Sequence, residues 1–234
     1  QSDQRPHLHE RWPESLTGDG MEGSMKIVAI NGSPRGKAGN THVMLEALLS
    51  GMAGAAVTRI TLAEKTLHHC TGCYSCWNTT PGRCIQEDDM AGILAHMRDA
   101  DLLLFGTPLY FGHVSGLFKL FFDRLTAAGG DPHAPRKAPG TTRCLMVANC
   151  GYPIRSQFSP LSAWIRHVAA LMQTPLLAEF YTTTGKVLTA PEEGQSAARE
   201  RYLAFLTECG RHILQDGSLP DDLREQLEKN VLDF

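Results

Sequence analysis

Apolar residues along this chain come in short blocks that alternate with one-sided amphipathic stretches, and polar turns separate them. KIVAI (26–30) reads as a buried strand running into the turn-rich NGSPRG. A helix follows, capped at Asn40-Thr41, with Val43, Met44, Leu48 and Met52 on one side. Residues 57–62 predict a second strand. After a cysteine-rich loop, Asp88 and Asp89 open a helix bearing Met90, Ile93, Leu94 and Met97; two acids suit the positive end of a helix. Residues 101–105 predict a third strand. The next helix carries Val114, Leu117, Phe118, Phe121 and Leu125 at spacings of three and four. A strand over 143–149, a helix over 158–172, a strand over 176–181, a helix over 196–214 and a short helix within 220–232 complete the series.

Five strands alternating with helices predict an α/β fold with a parallel sheet covered on both faces. Right-handed crossovers leave few ways to order the strands. Residues 1–24 are polar and aperiodic, a tail outside a single domain spanning 25–234. The stretch 129–142, rich in Gly and Pro, reads as a loop too short to separate domains.

Charge changes this picture little. With 22 Lys+Arg against 25 Asp+Glu, the net charge of −3 gives no electrostatic case for nucleic acid or an anionic membrane. No apolar run reaches membrane-span length, since the longest breaks at Gly106 and Pro108. Cysteine is the unusual count: seven, of which Cys70, Cys73, Cys76 and Cys84 fall within fifteen residues. Residues 1–24 lack the basic start and apolar core of a secretory signal. The expected compartment is a reducing cytoplasm, where clustered thiols point to metal or redox work.

Ligands of an open α/β sheet bind at the carboxyl ends of its strands. The first loop there, NGSPRGKAGNT (31–41), combines glycines, hydroxyls, the cations Arg35 and Lys37 and a helix start. Those are the parts of a phosphate cradle. It has neither the Walker spacing nor G-x-G-x-x-G. A plain flexible turn is the bland alternative.

This segment resembles the flavin-phosphate loop of the flavodoxin-like NAD(P)H-dependent FMN reductases. That family includes multimeric flavodoxin-type quinone reductases and iron–sulfur flavoproteins. The resemblance runs from about residue 25 to 181. It implies a three-layer α/β/α fold with sheet order 2-1-3-4-5. It also implies FMN, with the phosphate on Ser33, Arg35, Asn40 and Thr41. FGTPLYFG (105–112) matches the family's second flavin segment, which places Pro108, Leu109, Tyr110, Phe111 and Gly112 along the ring system. The alternative for Tyr110 and Phe111 is burial in the core. Cys150 and Gly151 sit where the family approaches the pyrimidine edge, or form a bland turn. His113 is expected at the surface, although it could lie over the flavin. Lys119, Asp123 and Arg124 read as helix-surface or subunit-contact residues.

The cysteine run is C-x2-C-x2-C-x7-C. Such thiols suit an iron–sulfur cluster, and four thiolates also suit structural zinc. The iron–sulfur flavoproteins carry a compact run of this kind after the second strand, which implies a [4Fe-4S] cluster on Cys70, Cys73, Cys76 and Cys84. Other reductases of the family hold no cluster in a similar frame of Gly72, Trp77, Pro81, Gly82, Asp88 and Asp89, so inert or redox-active thiols stay open. No Ser-His-Asp array and no second nucleotide fold is present in the sequence. The resemblance therefore implies an enzyme in which NAD(P)H stacks on an exposed flavin, leaves, and is replaced by a quinone-like, flavin or protein acceptor. It further implies a homodimer or homotetramer. The rival expectation is an electron-transfer carrier without efficient NAD(P)H turnover.

Overall fold

The computed structural model describes residues 24–129 and 141–234. The expected tail, apart from Ser24, and most of the expected loop 129–142 lie outside them. Five parallel strands form the sheet: β1 (Lys26–Asn31), β2 (Ala56–Thr61), β3 (Leu102–Pro108), β4 (Arg143–Asn149) and β5 (Leu176–Thr182), in the order β2-β1-β3-β4-β5. The helices are α1 (Asn40–Ser50), α2 (Ser75–Asn78), α3 (Met90–Asp99), α4 (Gly116–Arg124), α5 (Ser159–Leu171), α6 (Lys186–Thr189), α7 (Ser196–Asp216) and α8 (Asp221–Gln226).

Strand alternation divides the core into two layers. Ile27, Ala29, Leu102, Leu104, Leu145 and Val147 point to one face and pack with α1, α7 and α8. Val28, Ile30, Leu103, Phe105, Cys144 and Met146 point to the other and pack with α3, α4 and α5. Every residue of β3 and β4 is buried, as central strands covered on both faces must be. This is the expected three-layer, flavodoxin-like arrangement and strand order.

The order matters for function. β1 connects outward to β2, and the chain then crosses to β3 on β1's other side. The loops after β1 and β3 therefore diverge, leaving a crevice at the carboxyl edge of the sheet. Two helix starts depart from expectation. Gly39, not Asn40 or Thr41, is the N-cap of α1, and no side chain closes that end. The short α2 interrupts the cysteine loop, where neither length nor periodicity announces a helix.

Candidate functional site

The loop after β1 is held by its own side chains. Buried Asn31 donates from Nδ2 to the Gly36 carbonyl at 3.2 Å and accepts the Ser33 N–H at 3.0 Å. Ser33 is buried too, and its Oγ accepts the Arg35 N–H at 3.3 Å. Gly36 takes a positive φ of 53° to turn the chain, and a Cβ on Gly39 would sit 2.5 Å from Ser33 Oγ. The loop is thus wrapped closely around Ser33. α1 starts at its far end, where the first N–H groups have no intrahelical acceptor. Those donors, with Ser33, Thr41 and the exposed Arg35, are groups of the kind that hold an anion at a helix start.

Neighbouring strands fix this loop from outside. Gly32 donates to the Gly106 carbonyl at 2.7 Å, and the Gly32 carbonyl accepts the Ser115 hydroxyl at 2.6 Å. A Cβ on Gly32 would fall 2.3 Å from the Phe118 ring, so only glycine lets β1 and α4 approach this closely. Ser115 also caps α4 by accepting the Phe118 N–H at 3.1 Å, while its own N–H donates to Thr107 Oγ1 at 3.0 Å. On the other side Asn149 Nδ2 donates to Thr41 Oγ1 at 2.9 Å, and Asn40 Oδ1 accepts from Thr189 at 2.7 Å. Ser115 and Asn149 escape sequence reading because their partners are 83 and 108 residues away.

Across the crevice, Pro108 and Leu109 are buried and Leu109 donates to the Asn149 carbonyl at 2.8 Å. Residues 110–113 then form a two-residue turn, with Tyr110 and His113 exchanging both backbone hydrogen bonds. Phe111 (φ 49°) and Gly112 (φ 73°) occupy its left-handed tip. Tyr110 is about half exposed and Phe111 fully so, which removes core packing as their role. A left-handed, solvent-facing phenylalanine is unfavourable twice over. His113 is half-buried and packs edge-on against Trp164, with ring centroids 5.0 Å apart.

The loop after β4 contributes less than its sequence suggests. Cys150 is buried, its N–H bonds the Thr182 carbonyl and its carbonyl accepts from Gly185. Burial pushes its thiol above the ordinary range. Gly151, exposed, is the member of that pair open to a ligand.

The cysteine loop, 65–89, leaves the carboxyl end of β2. None of its residues is buried as a whole. Gly72, Tyr74 and Gly82 have positive φ, Trp77 donates to the Thr126 carbonyl at 3.1 Å, and Gly82 donates to the Cys76 carbonyl at 3.0 Å. Its two stems are joined by Asp89, which accepts the Thr66 N–H at 2.8 Å, and by Asp88, which accepts the His68 N–H at 2.9 Å. All four cysteines are free. Burial, then the nearby Cys84, Cys70 and Cys73, push the Cys76 thiol up. Hydrogen bonds from Ser75 and Thr71 hold Cys73 below its usual value. Among the described residues no three His, Cys, Asp or Glu side chains are gathered closely enough to grip a metal.

Arg124 corrects the expectation of a surface charge. Lys119 and Asp123 are surface residues, paired with each other at 2.5 Å. Arg124, however, is 2% exposed. Its guanidinium grips Asp88 through two nitrogens at 2.6 and 3.1 Å and donates to the His68 carbonyl at 2.7 Å. Burial opposes both charges, but the mutual hydrogen bonds win: Asp88 lies below the usual carboxylate range and Arg124 above its own. The helical period puts Arg124 just past the apolar stripe, and only the distant Asp88 explains its burial.

A donor-rich loop after β1 and exposed aromatics after β3 stand at the same edge of the sheet, and comparison with known proteins places the chain that carries them in a family. The family described as NADPH-dependent FMN reductase matches residues 25–180. The chain belongs to that family. An iron–sulfur flavoprotein of Archaeoglobus fulgidus is 34% identical over 131 residues, 55% of this chain and 57% of that protein. One from Methanocaldococcus jannaschii is 40% identical over 102 residues, 43% of this chain and 51% of the other. The chain therefore spans about half the length of these relatives. YwqN of Bacillus subtilis is 32% identical over 153 residues, 63% of this chain and 79% of YwqN. Among solved structures, an NAD(P)H:quinone oxidoreductase from Methanothermobacter marburgensis superposes with a TM-score of 0.59 at 17% identity, over 82% of this chain and 98% of that one. At that identity the match shows the shared fold. In this FMN reductase family member the four-cysteine loop follows β2, at the same edge of the sheet as the loops after β1 and β3.

Proposed function

We propose that this chain is an FMN-dependent oxidoreductase that takes electrons from NAD(P)H and passes them to a quinone-like, flavin or protein acceptor. The observation that carries the reading is the closed loop 31–41. It brings the buried hydroxyls of Ser33 and Thr41 together with the free N–H groups at the start of α1, and Gly39 lets the chain pass so close to Ser33 that a Cβ would clash with its Oγ. That set of donors suits one phosphate. FMN bound there supplies the exchange of two electrons with a nicotinamide and of one or two with an acceptor. Ser33, Thr41 and the N–H groups of α1 hold the phosphate, with Asn40 beside them, and Arg35 adds a charge-assisted contact. Pro108 and Leu109 set a rigid wall, and Tyr110, Phe111 and Gly112 border the ring system. Gly151 leaves its far edge open, with Cys150 anchoring that turn. The exposed aromatics need covering by a nicotinamide, an acceptor or a second subunit of a homodimer or homotetramer.

A second reading adds an iron–sulfur cluster on Cys70, Cys73, Cys76 and Cys84. The donor types suit it: four free thiols on one exposed loop, not gathered among the described residues into a metal-sized group. The relatives named as iron–sulfur flavoproteins favour this over zinc or inert thiols. With the cluster the chain would also serve as a one-electron carrier. Among the described residues no helix is long and apolar enough to cross a membrane, in keeping with a cytoplasmic protein.

The test is anaerobic purification followed by flavin and iron analysis, then stopped flow with NADH and with NADPH. Bound FMN that bleaches with either nucleotide supports the first reading. Failure to take up added FMN rejects it. FMN that neither nucleotide reduces leaves the carrier. About four irons per chain support the cluster, and iron-free protein with full FMN rejects it.

A further inference from the structure

Three polar side chains of the 31–41 loop are each spent on one side only. Ser33 Oγ accepts the Arg35 N–H at 3.3 Å, Thr41 Oγ1 accepts from Asn149 Nδ2 at 2.9 Å, and Asn40 Oδ1 accepts the Thr189 hydroxyl at 2.7 Å. Among the described residues, neither loop hydroxyl hydrogen nor the Asn40 Nδ2 group has an acceptor. All three side chains therefore keep hydrogens to give. Asn40 depends most on its partner, because its amide can turn about its last bond and offer the oxygen instead. An amide oxygen and a phosphate oxygen have no hydrogen between them to share.

The residue that fixes this amide lies beyond residue 180, where the family match ends. Thr189 closes α6, and although exposed it stands on a fastened turn. Val187 and Leu188 are buried, Arg199 Nε donates to the Leu188 carbonyl at 2.8 Å, and Gly185 donates to the Cys150 carbonyl at 2.8 Å. A Cβ on Gly185 would fall 3.1 Å from Asn40 Nδ2 and 2.9 Å from Asn149 Oδ1, so glycine leaves room beside both amides.

We propose that Thr189 and Gly185 are positioning residues of the anion site. Thr189 occupies Asn40 Oδ1, so the amide meets a phosphate only through Nδ2, and Gly185 leaves space for that orientation. The turn after β5 thereby favours a flavin that ends in phosphate over the same flavin without one. That consequence rests on the FMN reading; the hold of Thr189 on Asn40 does not. Serine can replace Thr189, since the hydroxyl is what binds, whereas valine has the shape without the hydroxyl.

Two measurements on the full chain separate these levels. By fluorescence titration, Thr189→Val should weaken FMN about fivefold, the worth of one neutral hydrogen bond, and Thr189→Ser should stay within about twofold of wild type. Gly185→Ala should weaken FMN at least as much as Thr189→Val. Riboflavin should bind all four proteins alike, whereas a merely structural loss at the turn would weaken both flavins. Equal losses for both flavins overturn the proposal, and unchanged FMN affinity in either variant overturns that residue's part. In FMN-free protein, the Asn40 side-chain 15N–1H signals are identified by their loss in Asn40→Asp. They should move in Thr189→Val and stay in place in Thr189→Ser; unmoved signals in Thr189→Val overturn the hold. If wild type takes up no FMN, the FMN reading fails, and the spectra alone decide whether Thr189 holds Asn40.

Discussion

Two loops at the same edge of the sheet are built in opposite ways. In 31–41 Asn31, Gly32, Ser33, Gly36 and Gly39 are buried, and the side chains of Asn31, Ser33 and Thr41 have partners inside the loop or on β4. In 65–89 none is buried: Asp88 and Asp89 tie the stems, backbone bonds such as Gly82 to Cys76 turn the middle, and Cys70 and Cys73 stay exposed. A loop held as the first one is lowers the ordering cost of any ligand it receives. The second offers its thiols to solvent, so a metal bound there would have to draw them together itself.

The sharpest way to break the comparison is at the stems of the open loop. Asp88→Ala leaves Arg124 buried without its counter-charge and should cost about 3–5 kcal/mol of stability, read from urea unfolding of the FMN-free protein. Affinity for FMN in the folded fraction should change less than threefold, because neither residue touches 31–41; a parallel collapse of both would show that the loops are not independent. The sign with pH follows from the lowered Asp88 carboxyl. Its contribution is present above the unfolded value of about 4 and is lost as pH falls through the lower folded value. The stability lead of wild type over Asp88→Asn should therefore shrink below about pH 4.

Ser115→Ala attacks the cradle from outside. It removes the cap of α4 and the donor to the buried Gly32 carbonyl, about 2 kcal/mol together. Here stability and FMN affinity should fall together, by fluorescence titration, while alkylation of Cys70 and Cys73 stays at the wild-type rate. Arg35→Ala should weaken FMN about tenfold and leave riboflavin unaffected; equal losses for both would move Arg35 away from the phosphate. The smallest effect is expected at Phe111. Phe111→Asn suits the left-handed turn and should stabilise the protein by up to about 1 kcal/mol, while slowing reduction by NAD(P)H. A variant both more stable and equally fast would show that the ring has no role in the crevice.

The rigid half is the legible half. The burial of β1, β3 and β4 on both faces follows from short-range pattern, and the strand order follows from the family resemblance that segments 31–41 and 105–112 carry. Phe111 could be placed beside a ligand, but its left-handed φ could not be read, since phenylalanine rarely marks such turns. Asn40 and Thr41 look like caps because their side chains accept hydrogen bonds, yet the geometry gives that position to Gly39 and spends both side chains on α6 and β4. Arg124 at the end of an apolar helix reads as a surface charge until Asp88, 36 residues earlier, is brought against it. What the sequence hides in each case is a long-range polar partner.

Ser115 and Arg124 stand at opposite ends of α4. The helix between them turns about 100° and rises about 1.5 Å per residue, so the two groups lie about 14 Å apart and about two and a half turns out of phase. That phase is a shared register. A single inserted or deleted residue anywhere in 116–123 would leave one end seated and swing the other by about 100°, away from its loop. The segment should therefore accept changes of side chain on its solvent side and refuse any change of length.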